Sequence, residues 1–201
     1  MISENFVWLA ILISTLGAGI YLFDTLKGRV KPNKVTWILW SINPLIAFAA
    51  EAHQLVGVQS LFTFMIGFTP LIIFFASFVN KKAYWKITSP DVICGLFSIL
   101  GLSLWYFTKV GNLAIVFSIV ADAFAALPTL YKSYKNPETE NSFAYLTASI
   151  SGLITVLTIR HWNFETYAFP AYIFLINILI ILAIKIPFMK KKIQGATDNK
   201  S

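Results

Sequence analysis

One carboxylate stands alone in the apolar run from Leu113 to Leu130: Asp122. On insertion scales a charge at the middle of a spanning helix costs about 2.5–3.5 kcal/mol, so such a residue faces protein or a cavity rather than lipid. A carboxyl group there can hold a polar solute. It can also carry a proton, as a proton-coupled carrier requires. Ser118, Asp122, Ala125, Thr129 and Ser133 recur at steps of four, three, four and four, which places them on one helix face. Pro128 follows Asp122 and removes one i→i−4 hydrogen bond, making a compliant point in the helix. Asn43 and Pro44 stand together in another apolar run, with Trp40 one turn before them. An amide and an indole beside a proline-loosened backbone form a plausible polar-ligand surface. Asn177 lies mid-way along a later run, and Tyr145 and Ser149 correspond roughly to Trp40 and Asn43. Glu51 is expected at the outer interface, and Asp24 at the inner one, paired with Lys27 or Lys31 as a gate.

Other chemistry is poorly provided for. The single cysteine, Cys94, excludes an internal disulfide framework, and His53 and His161 are far apart in expected loops. Neither a metal-ligand cluster nor a nucleophile–base pair is legible, so neither catalysis nor a cofactor is expected.

The elements that must position these residues are membrane-spanning helices. The 201 residues are 57% hydrophobic and only 12% charged, where a soluble domain carries about a quarter charged residues. Seven apolar segments are expected near Phe6–Leu26, Val35–Ala50, Leu61–Val79, Val92–Thr108, Leu113–Tyr134, Phe143–Ile159 and Tyr167–Ile186, followed by a mobile tail over 189–201. Fourteen of the sixteen basic residues then fall on one side, leaving Lys109 and Arg160 on the other. By the positive-inside rule the N-terminus is outside and the C-terminus cytoplasmic. The acidic start MISEN lacks a small-residue cleavage site, so the first segment reads as a retained helix. The net charge of +7 belongs to topology rather than to nucleic-acid binding.

The stripe around Asp122 has a counterpart 104 residues earlier: Ser14, Ala18, Tyr21 and Thr25 map onto Ser118, Asp122, Ala125 and Thr129. Each copy ends in a basic polar turn, KGRVKPNKVTW and KSYKNPETENSFAY. This reads as an internal duplication. The expected units are residues 1–80 and 113–188, joined by a linker helix within 81–112. An odd-helix unit followed by one linking helix makes the two repeats parallel. The expected fold is therefore all-α and integral to the membrane, with seven helices in a 3+1+3 order.

With that topology, and a fifth helix ending in Pro128-Thr129 before a polar turn, the chain resembles the PQ-loop and MtN3/saliva clan. That clan includes the SWEET sugar transporters and the lysosomal cystine exporter; the turns look most like a bacterial branch of it. Here Pro-Thr stands in place of Pro-Gln, and the first copy reads Asp24-Thr25. The resemblance implies a secondary transporter or facilitator of a small polar solute, working by alternating access in the cytoplasmic membrane, with proton coupling through Asp122 as one option. It implies hinges at Pro128 and Pro44 and a solute-binding asparagine at Asn177, whose partner position in the third helix holds Thr69-Pro70. The partners implied are the solute, the bilayer, protons and a second copy of the chain. The competing reading is a seven-helix receptor or sensor that binds a ligand without moving it.

Overall fold

The computed structural model describes residues 2–198, apart from 80, 81, 83, 84, 109 and 110. Among these there are seven α-helices, one 3-10 turn and no strand. The helices are α1 (Phe6–Lys27), α2 (Lys34–His53), α3 (Gln59–Ala76), α4 (Ser89–Thr108), α5 (Gly111–Lys135), α6 (Ser142–Thr158) and α7 (Phe164–Asp198), with the 3-10 turn at Pro137–Thr139 between α5 and α6. Five of them, α1, α2, α3, α5 and α7, are long and apolar enough to cross a membrane, while α6 is an apolar helix of 17 residues.

Several helix limits differ from those expected, and α3 ends at Ala76, short of Val79. α2 continues to His53, past Ala50, and α7 continues to Asp198 through the stretch expected as a mobile tail. Pro187 does not end α7, since proline can be accommodated within a long helix at the loss of one backbone bond. His53, expected in a loop, closes α2.

Side-chain size explains how the helices face. On α1 the buried residues are Val7, Ala10, Ser14, Gly17, Tyr21 and Thr25, at helical spacing, and most are small or hydroxyl-bearing. The large apolar side chains Trp8, Leu12, Leu16, Ile20 and Phe23 are exposed. Water would penalise that arrangement, whereas hydrocarbon favours it, because close helix contact in a bilayer needs small residues inside and tolerates Leu and Phe outside. The helical surface is thus compatible with an integral membrane protein.

Small residues also set the closest approaches. At Gly17 of α1 an added Cβ would lie 1.7 Å from Thr147 Oγ1 of α6, and at Gly152 of α6 it would lie 3.0 Å from the Phe174 nitrogen of α7. α3 packs against α1 and α2, and α7 against α5 and α6; α1 also packs on α6, and α2 on α5. α4 lies against α5 and, more lightly, α2.

The turns after α1 and α5 are tied to each other. Gly28 ends α1 with φ 71°, a left-handed conformation that glycine adopts without Cβ strain, and its N–H caps the Thr25 carbonyl. Lys31 N–H then donates to Thr139 O at 3.1 Å across the two turns. Asn33 caps α2 by accepting from Val35 and Thr36 N–H, and Asn141 caps α6 by accepting from Phe143 N–H. Each asparagine spends its amide hydrogens elsewhere: Asn33 on Asp91 at 2.7 Å, next to the start of α4, and Asn141 on Asp24 at 2.6 Å, near the end of α1.

Candidate functional site

Inside the bundle lies a cavity lined by six helices. α1 contributes Ser14 and Ala18, α2 contributes Trp37, Trp40 and Pro44, and α3 contributes Thr69 and Pro70. Asp122 comes from α5, Tyr145 from α6 and Asn177 from α7. Isoleucines of α3 and α7 supply much of the remaining wall. The sequence implied walls from α1, α2, α5, α6 and α7; α3 is an addition, through Thr69, Pro70 and its isoleucines.

Asp122 is buried, at 2% exposure, in the wall of this cavity. Its Oδ2 accepts a hydrogen bond from the Tyr172 hydroxyl at 2.7 Å, and the Asn43 side chain lies beside the same carboxyl group. Its Oδ1 accepts no hydrogen bond. Tyr172 was not legible as a partner: in sequence it is one more aromatic in an aromatic helix, and only the packing of α5 on α7 brings it to Asp122. Asn177 donates to the Ile173 carbonyl at 2.8 Å, which fixes the amide against its own helix.

Three aromatic rings form one end of the cavity. Trp37 and Trp40 meet edge to face with centroids 5.5 Å apart, and Trp40 meets Tyr145 in the same way at 6.3 Å. Behind them Tyr21 packs on Trp37 at 4.6 Å.

Beneath these rings is a polar cluster that sequence reasoning missed. Glu140 Oε2 accepts from both the Tyr21 and Tyr145 hydroxyls at 2.8 Å. Its Oε1 forms an ion pair with Lys132, whose side chain is fully buried. The Lys132 ammonium also donates to the Lys31 carbonyl and lies 5.1 Å from the centroid of the Trp85 ring. Tyr145 therefore belongs both to the cavity wall and to the cluster that seals the turn-bearing end. Such a buried pair is tolerable because further hydrogen bonds occupy its carboxylate and ammonium.

The remaining expected residues lie elsewhere. Ser118 and Thr129 are fully buried but do not line the cavity; Thr129 donates to Thr36 Oγ1 at 3.2 Å and so ties α5 to α2. Ser149 donates to the Phe174 carbonyl at 3.2 Å, joining α6 to α7. Asn43 stands behind Asp122 rather than on the cavity surface. Pro44 lines the cavity; Pro128 does not, although it lies within α5. Asp24 does not pair with Lys27 or Lys31: its partners are Arg29 at 3.3 Å and Asn141. The reason is the left-handed turn at Gly28, which brings Arg29 back over the end of α1. Glu51 is not at an exposed interface but 1% exposed beside Thr63 of α3, because α2 is still helical there.

No family model, curated protein or solved structure matches this chain.

Proposed function

We propose that the chain is a secondary transporter or facilitator of a small solute, working by alternating access in a membrane. The observation that carries this reading is the central cavity with Asp122 in its wall and a sealed polar cluster at one end. The cavity wall is mostly apolar with a few polar groups, as the walls of small-molecule sites are. The Lys132–Glu140–Tyr21–Tyr145 cluster is the closed gate on the turn-bearing side, and its breakage opens that side to the solute. Two parallel three-helix repeats, α1–α3 and α5–α7, form the halves that rock, and α4 connects them. The neighbour pattern supports this: α1 on α3 matches α5 on α7, α2 on α3 matches α6 on α7, and α1 on α6 matches α5 on α2. The matched caps Asn33 and Asn141 support it as well. Pro44 and Pro128 are the compliant points. Asp122 binds the solute and, in the proton-coupled form of the proposal, takes up and releases the coupled proton.

Counterflow of labelled solutes in proteoliposomes tests the reading. Uptake of a tracer against its own preloaded solute, absent from protein-free vesicles, is the expected result. Binding without counterflow for every solute bound would refute transport and leave a receptor of the same architecture.

A further inference from the structure

We infer that the solute is a small organic cation, a protonated or quaternary amine; the inference rests on the transporter reading of the same cavity. Among the described residues that line the cavity, Asp122 is the one carboxyl group, and no lysine, arginine or histidine joins it. An anion would find no counter-charge there. A zwitterionic amino acid would leave its carboxylate without a counter-charge, with only the indole N–H groups of Trp37 and Trp40 to meet it. A sugar needs a matching set of donors and acceptors around its hydroxyls, and this wall offers few: the indole N–H groups of Trp37 and Trp40 have no partner among the described residues, but the other donors are spent. Ser14 donates to the Ile11 carbonyl, Thr69 to the Met65 carbonyl, Asn177 to the Ile173 carbonyl and Tyr145 to Glu140.

What remains suits a cation. Asp122 Oδ1 is buried and accepts no hydrogen bond, so the wall presents an acceptor whose partner must come from the cavity. At the other side stand Trp37, Trp40 and Tyr145, each ring nearly perpendicular to the next, at 75° and 73°. All three rings line the cavity, and aromatic surface attracts an ammonium group, more strongly when water is excluded. Trp40 and the Asp122 neighbour Asn43 lie one helical turn apart on α2, so the rings and the carboxylate belong to one enclosure. The isoleucines Ile66, Ile73 and Ile176 complete it with apolar surface for alkyl substituents.

The test compares choline with its neutral isostere 3,3-dimethylbutan-1-ol, which replaces the quaternary nitrogen by carbon, and with glucose and lysine. Binding to the purified full chain in detergent is read by titration calorimetry. Counterflow in proteoliposomes is read separately with labelled choline. The expected result is choline binding tighter than the isostere on the order of tenfold or more, the discrimination that ion pairing and a desolvated cation–π contact supply. Asp122→Asn and Trp40→Leu should each lower that ratio, Asp122→Asn to within about threefold if the ion pair supplies most of it. Equal binding of choline and its isostere by the unaltered protein would overturn the inference, a result that needs no variant to fold. Preference for glucose or lysine, or no binding of choline, tetramethylammonium or ethanolamine, would overturn it too. Glucose counterflow without cation binding would leave the transporter standing and remove this substrate class. Choline binding without choline counterflow would keep the ligand class and remove the transporter.

Discussion

A lysine with no exposed side-chain surface is held by few contacts, and here they can be named. Lys132 has Glu140, the Lys31 carbonyl and the Trp85 ring. Removing one partner of a buried ion pair strands the other, at a cost of about 3–5 kcal/mol, whereas replacing both with apolar or neutral groups is often close to neutral. Lys132→Met should therefore lower the thermal unfolding temperature clearly, and Lys132→Met with Glu140→Gln should recover most of the loss. Losses that simply add in this double-mutant cycle would mean that the two side chains do not act as a pair. At the cavity, Asp122→Asn keeps the acceptor facing Tyr172 but removes the titrating group. Under the proton-coupled proposal it abolishes pH-driven uptake, and whatever exchange remains at equal pH no longer responds to pH; unchanged pH dependence would leave a uniporter. Asp122 was legible in sequence because a carboxylate in an apolar run has no bland place to go. Lys132 and Glu140 were not: a lysine at a helix end and a glutamate in a polar turn read as solvated charges. Their burial depends on Tyr21, which lies 119 residues from Glu140.

Helices were legible where their apolar runs were long, and their faces followed from the small residues. Of the stripe Ser14, Ala18, Tyr21 and Thr25, three residues are buried in α1 and Ala18 is half-buried. Two things escaped: the full reach of α2, whose last turn carries Glu51 into the interior, and the participation of α3 in the cavity. Both follow from the close packing of α2 on α3, which periodicity within one helix does not report. The compliance of α5 belongs to the same scale. Pro128 lies within the helix six residues beyond Asp122, and its ring forgoes one backbone hydrogen bond. Pro128→Ala restores that bond and stiffens the joint between the solute site and the Lys132 end. Exchange and net uptake should both slow, while solute affinity changes little. Equal transport rates in the Pro128→Ala protein would remove the hinge from α5.

Across the whole molecule, the question is which end faces the cytoplasm. The structure establishes which parts share an end. Lys31 N–H bonds to Thr139 O, so the α1–α2 and α5–α6 turns lie together. Ile2 N–H bonds to Leu157 O at 3.1 Å, and Glu4 pairs with Arg160 at 3.2 Å, so the N-terminal residues share the opposite end with the α6–α7 turn. The first end holds Lys27, Arg29, Lys31, Lys132 and Lys135 by sequence, the second only Arg160 among these segments. Short loops rich in lysine and arginine stay on the cytoplasmic side. Under the transport proposal this rule makes the Lys132–Glu140 cluster the inner gate, with the cavity loading from outside when it is closed. Because the chain has one cysteine, Cys94→Ala gives a cysteine-free background in a single step. Arg29 and Trp162 are well exposed, one at each end, with side-chain exposure of 65% for the arginine and residue exposure of 57% for the tryptophan. In intact bacterial cells, a membrane-impermeant maleimide should label Trp162→Cys directly and Arg29→Cys only after permeabilisation. The reverse pattern would invert the chain in the membrane and turn the sealed end outward. Labelling of both positions from outside would break the shared-end arrangement on which the alternating-access proposal depends.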